Sequence, residues 1–230
     1  MRRSSMVLLA ALLIPLASLA QAQPAPLAAP DADAARAAPA APIVWYTDNY
    51  FSSCDGNCSA SIFGGALVTT AMTSIFIRHP NVPSNWHWGD SNILGGVFSR
   101  RLATLWGVID VEPEIGIAQR FGTLDATESW AAVYFRWTWF PWNDYVRTTI
   151  GLPLGLSLAS KVDSLERNAN SNEHGSILLN YFSPEITFAL PQYPGDELFF
   201  RFHHRSGIFG LINHVHAGTQ YGVVGLRYRF

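Results

Sequence analysis

The sequence predicts an all-β protein, an eight-stranded antiparallel up-and-down transmembrane β-barrel. Three features carry the expectation. The chain opens with an export signal. It then runs through period-two segments whose apolar faces are large and branched. Its connections alternate between short and long.

The first element is the signal. Arg2 and Arg3 form a positive start, Met6–Ala20 is an apolar run, and Ala20-Gln21-Ala22 is a small-x-small cleavage site, so residues 1–22 read as a signal peptide. The run is short of the roughly 20 residues that a spanning helix needs. Residues 23–42 are almost all Ala, Pro and Asp, a disordered leader with nothing bulky to pack. The folded part is expected over 43–230. The chain of 230 residues is 49% hydrophobic and 14% charged, with a net charge of -2, which gives no basic balance to attract nucleic acid. Its two cysteines, Cys54 and Cys58, lie in "CDGNC", where a small local disulfide is favoured over half of a metal site.

Strands are expected at about 59–70, 91–101, 106–121, 128–140, 145–159, 176–190, 197–207 and 220–230. Most reach the roughly 9–11 residues that a tilted membrane strand needs. In "YVRTTIGLPLGL", Val146, Thr148, Ile150, Leu152, Leu154 and Leu156 share one face; Arg147, Thr149, Gly151, Pro153 and Gly155 share the other. In "SWAAVYFRWTWF", Val133, Phe135, Trp137 and Trp139 oppose Tyr134, Arg136 and Thr138. The second face is small, with a few charges of both signs, which suits a narrow polar interior with lipid outside. Asp110, Glu112, Glu114 and Glu185 are expected to pair there with Arg136, Arg147, Arg201 and Arg205, leaving no wide pore.

Three connections read as tight turns, at 101–105, 141–145 and 191–196; between them lie longer ones at about 71–90, 122–127, 160–175 and 208–219. Short periplasmic turns and longer outer loops are the habit of bacterial outer-membrane barrels, so the chain is expected to begin and end on the periplasmic side. The last strand, "QYGVVGLRYRF", ends on Phe230 with Tyr228, Leu226 and Val224 on its face. It resembles the C-terminal assembly signal of such barrels. The expected location is the outer membrane.

One strand carries chemistry on the wrong face. In "LFFRFHHRSGIF", Leu198, Phe200 and Phe202 face lipid while Arg201, His203 and Arg205 face the lumen. His204 and Ser206 then fall on the lipid face at the outer end, where polar groups are costly. A strand rise of about 3.3 Å per residue puts their Cα atoms roughly 6–7 Å apart, close enough for a histidine to take the serine proton. A stripe that has simply left the hydrocarbon is the plainer explanation of the same pair. Gln220 shares the parity of Val224 and Tyr228 and is expected beside His204.

The run "FRFHHRSGIFGLINHVHAGTQYGVVGLRYRF" resembles the C-terminal hairpin of the PagL-type lipid A 3-O-deacylases. "FPWNDYVRTTIGLPLGLSLAS" and "LLNYFSPEITFALP" are similar to acyloxyacyl hydrolase-like barrels. The resemblance implies an outer-membrane serine esterase that removes the 3-O acyl chain of lipid A, a lipopolysaccharide modification. Ser206 would be the nucleophile and His204 the base. The acidic third member of that family falls on Gln220, with Glu185 as a substitute of the wrong parity. The Asn after the serine is Gly207 here, so the oxyanion site would rest on the backbone N–H groups of Gly207 and Ile208. No cofactor or metal is needed. His79, His87, His214 and His216 lie in loops without metal-ligand spacing. Arg78, Lys161 and Arg167 could meet lipid A phosphates or be plain solvated charge. The partners implied are lipopolysaccharide in the outer leaflet and the membrane itself. A homodimer is left open, as is the alternative of a non-catalytic structural or adhesive barrel.

Overall fold

Branched apolar residues alternating with small and charged ones fold into strands that bury their polar side and present their apolar side outward. The computed structural model describes residues 42–47, 51–78, 82–167 and 175–230. The expected signal peptide, nearly all of the leader and His79 lie outside the described residues. The described strands are β1 (Ile43–Trp45), β2 (Cys58–Val68), β3 (Trp88–Arg100), β4 (Ala103–Leu105), β5 (Ile109–Gly122), β6 (Ala126–Trp137), β7 (Arg147–Ala159), β8 (Leu178–Tyr181), β9 (Glu185–Ala189), β10 (Asp196–Ser206) and β11 (Gly218–Arg229).

The barrel runs β2–β3–β5–β6–β7, then the pair β8 and β9, then β10 and β11, and β11 closes it antiparallel onto β2. β8 and β9 are one stave, interrupted near Pro184, which has no N–H to give the ladder. The register crosses the gap unbroken: Tyr181 and Glu185 face Gly155 and Gly151 on β7, and Arg205 and Arg201 on β10. This makes eight staves, the number expected.

The first tight turn differs from expectation. Ala103–Leu105 is itself a strand, paired with the start of β5, and the turn is at Trp106–Gly107. Both residues have positive φ, 49° and 72°, the geometry of a two-residue hairpin turn that matches strand twist. β1 adds to β4 through Ile43↔Leu105 and Trp45↔Ala103. Cys54 and Cys58 form the expected disulfide just before and at the start of β2.

The outer wall is apolar: Ile62, Leu94, Ile117, Leu152, Leu156, Leu198, Val224 and Leu226 are all exposed. The interior is charged and closed. Glu185 accepts from Arg201 (2.9 Å) and Arg227 (2.7 and 2.8 Å) and also from Arg136. Glu114 binds Arg201 (2.8 Å) and Glu112 binds Arg136 (2.7 Å) and Arg229 (2.8 Å). Aromatic side chains fill the remaining space, among them Trp130, Tyr134, Tyr181, Phe199 and Tyr221. An apolar exterior around a paired polar lumen is the arrangement of an outer-membrane barrel.

Three residues expected in the central lattice have other surroundings. Arg147 begins β7 and is exposed at the rim, without an ion pair among the described residues; Asp110 pairs instead with Arg101 (3.4 Å). Arg205 turns to the outer connection, donating to Ile177 O (2.8 Å) and facing Glu166 (3.4 Å). Conversely Glu197, Arg227 and Arg229, which alternate with outward residues in the sequence, complete the network.

Candidate functional site

Strand alternation alone decides which side of the wall each polar residue of β10 takes. Arg201, His203 and Arg205 point inward. His203 is packed among Phe63, Trp130 and Tyr181 and reaches Glu128 Oε1 at 3.2 Å. It belongs to the lumen, as expected. His204 and Ser206 take the opposite parity, with Ser206 the last residue of β10.

The outward pair is not bathed in lipid, however. Phe202, on the same face, is only 5% exposed because the first outer connection folds down over the barrel wall. A π-helical turn, Ser74–Arg78, places Phe76 edge-on to Phe202 at 5.3 Å, and Trp86 meets it at 5.7 Å. Val68, Ile75 and Met72 complete this apolar seal. Beside it lies a cavity of about 560 Å³ in the outer wall, and His204, Ser206 and Gln220 all line it. His204 and Gln220 are each 7% exposed. The expectation of an open lipid-facing pair is thus corrected: the pair lies in a lateral trough, roofed by the connection after β2 and by the one after β10.

Register fixes the neighbours of each residue. His204 faces Gln220 across the β10–β11 ladder, and Ser206 faces Gly218. On the other side Ser206 faces Asn180 of β8. The two side chains converge on one point of β11. A Cβ placed at Gly218 would lie 2.7 Å from Ser206 Cβ and 3.1 Å from His204 Cε1. Both side chains therefore border the space that a side chain at position 218 would fill.

Gln220 is where expected, with its side chain in contact with the His204 ring. No hydrogen bond reaches His204 Nδ1 among the described residues, although the atom is buried. The Gln220 amide instead donates to the Thr70 carbonyl, tying the wall to the folded-down connection. Glu185, the other expected third member, is excluded by position: it is buried in the lumen among three arginines.

The expected oxyanion donors divide. Gly207 N–H is turned to Ala217 O at 3.5 Å, a long contact. Ile208 N–H has no acceptor among the described residues. Ile208 and Phe209 both hold left-handed φ, 50° and 55°, strained for a β-branched residue and concentrated next to Ser206.

Asn180 and Phe182 belong to no motif in the sequence, yet both line the trough. The signal was present: Asn180 is a polar residue at lipid-facing parity between Leu178 and Phe182 in "LLNYF". Among the described residues no group of His, Cys, Asp or Glu is arranged to hold a metal ion. Lys161 is spent on Asp125 at 2.7 Å, while Arg167 is exposed.

No protein-family model matches the chain, and no curated protein does. Several solved structures are similar in shape, among them two small outer-membrane proteins. Neisserial surface protein A is 11% identical, with 78% of this chain and 100% of that chain covered, at a TM-score of 0.46. The Yersinia pestis outer membrane protein Ail, in a phospholipid bilayer nanodisc, is 14% identical, with 75% and 99% covered, at a TM-score of 0.34. The chemistry of the trough is left to its own residues.

Proposed function

We propose that the protein is an outer-membrane serine esterase that removes an ester-linked acyl chain from lipid A, at the 3-O position by resemblance to the PagL-type deacylases. The observation that carries the reading is the placement of His204 and Ser206 together in a trough on the outer face of the barrel wall, both bordering Gly218. In this reading Ser206 Oγ attacks the ester carbonyl and its proton passes to His204. Collapse of the tetrahedral intermediate breaks the bond to the sugar oxygen, which takes the proton from His204. Water then hydrolyses the acyl-enzyme by the same route. The apolar lining from Leu154, Phe182, Val68 and Met72 suits an acyl chain.

The test is the lipid A of cells expressing the intact protein, examined by mass spectrometry. Loss of one acyl chain is expected, with the lipid unchanged under Ser206→Ala or His204→Ala. Unchanged acylation with the intact protein, or full activity of Ser206→Ala, would sink the reading.

One observation favours the second reading, a structural or adhesive barrel without catalysis. Among the described residues no carboxylate lines the trough. His204 therefore lacks the charge that stabilises an imidazolium in most serine esterases.

A further inference from the structure

We infer that Asn180 is a catalytic residue of this site, donating a side-chain N–H to the carbonyl oxygen of the ester as it becomes an oxyanion. The inference rests on the esterase reading above. A serine esterase needs two things on different sides of its nucleophile: a base that will protonate the leaving oxygen, and a donor for the oxyanion. Here the base occupies the β11 side. His204 Cε1 and Ser206 Cβ both crowd the position of Gly218. The free flank of Ser206 is the one toward β8, and there its direct cross-strand partner is Asn180.

The other trough residues on that flank are Leu154, Leu165 and Phe182, so Asn180 supplies its polar side chain. Its burial pattern follows the wall: Leu179 and Tyr181 are fully buried in the lumen, while Asn180 takes the outward parity of Leu178. An amide at a lipid-facing position is costly unless it is used. Asn180 is also held in place. Its Nδ2 donates to Gly155 O of β7 at 3.0 Å. That bond engages one of the two hydrogens of the amide and leaves the other to donate. A donor already anchored to the sheet does not have to reorganise when charge develops, which is the condition for strong oxyanion stabilisation. Asn180 and the Ile208 N–H would then form a two-donor site. The Gly207 N–H is not needed for it, because that group points toward Ala217 O.

The experiment uses the full chain, reconstituted in lipid A-containing vesicles, with Asn180→Ala, Asn180→Leu, Asn180→Asp and Ser206→Ala. Folding is read from heat-modifiable gel mobility. Asn180→Leu places an apolar residue on a lipid-facing stripe and is the variant expected to fold at least as well as the parent. The expected result is a fall in kcat of about 10²–10³-fold for the Ala and Leu variants, with KM held within about twofold. Asp, an acceptor, is expected to fall further. Labelling of Ser206 by an alkyl fluorophosphonate, which also forms an anionic oxygen at the attacked centre, should slow in parallel. Ala and Leu variants with unchanged kcat, or with a raised KM alone, beside an inactive Ser206→Ala would overturn the role of Asn180 and leave the esterase standing. An active Ser206→Ala, or an inert parent, would overturn both.

Discussion

The lumen and the lateral trough hold polar groups for opposite reasons. In the lumen each charge is explained by another. Glu185 alone meets Arg136, Arg201 and Arg227, and Glu112 meets Arg136 and Arg229. Remove the membrane and this lattice would still make sense as packing. In the trough the polar groups are few, and among the described residues no carboxylate, guanidinium or ammonium group lines it. His204 Nδ1 is buried with no hydrogen-bond partner among the described residues, and the Gln220 amide is spent on a loop carbonyl. The contrast teaches where to look for function in a small barrel. Density of charge marks the scaffold, whereas isolated polarity on the outer wall marks the place that folding does not explain.

The largest effect should come from breaking the scaffold. Glu185→Ala removes one carboxylate partner from three buried guanidinium groups in a closed lumen, leaving Arg136 with Glu112, Arg201 with Glu114 and Arg227 with Glu197. Losing one partner of a buried ion network costs about 3–5 kcal/mol. Urea unfolding of the reconstituted barrel should register that loss. Ser206→Ala should move the same transition by no more than about 0.5 kcal/mol, because it touches no lumen partner. A Ser206→Ala variant as unstable as Glu185→Ala would erase the distinction between the two regions.

A smaller effect sharpens it. Gln220→Glu puts a carboxylate beside His204 in the register already observed. Exchanging a triad carboxylate for its amide elsewhere drops kcat by about 10⁴, so the reverse exchange should raise the ester-hydrolysis rate. The gain will be reduced by loss of the Thr70 tie, and about tenfold is expected. An unchanged or lower kcat in a folded Gln220→Glu barrel would mean that His204 is steadied by something other than this position.

The two regions also differed in how far the sequence disclosed them. Staves were legible because a strand writes its two faces into alternate residues, so Leu198–Phe200 and Arg201–His203 sorted themselves without a structure. Parity also placed Gln220 opposite His204. What parity could not convey was the roof. Thr70 meets Gln220 from 150 positions away, and Phe76 and Trp86 reach Phe202 from a connection with no strand periodicity. Nor does alternation say where a stave stops. Arg147 has the lumen parity but sits at the rim, and Ala103–Leu105 reads as a turn but extends a hairpin. Asn180 was legible in principle by the rule that found His204. It was overlooked because a single amide among leucines carries no motif.

The smallest expected effect concerns the boundary between lumen and outer connections. Glu166 is buried at the outer end, against Arg205 (3.4 Å), with Arg120 at 4.0 Å and Thr219 at 3.0 Å. Burial, with Asp163 nearby, pushes its carboxyl up to about 8, against the pull of Arg205 and Arg120. Glu128 and His203 lie in the same cluster but are paired with each other. A carboxyl whose folded value is raised above its unfolded value of 4.5 binds its proton better when docked. Docking of the connection is therefore favoured at low pH, weakens as pH rises above 4.5, and carries its full penalty once pH passes about 8. Protease cleavage within 160–167, normalised to a Glu166→Gln barrel, should rise between pH 6 and 8 and then level off, changing by no more than about twofold from pH 8 to 9, provided that cleavage follows the open fraction. Lumen charges deeper in the network have no such exit, because their partners are on fixed staves. A cleavage ratio flat from pH 6 to 9 would place Glu166 with the permanent lattice, and the boundary between the two regions would move outward past the connection.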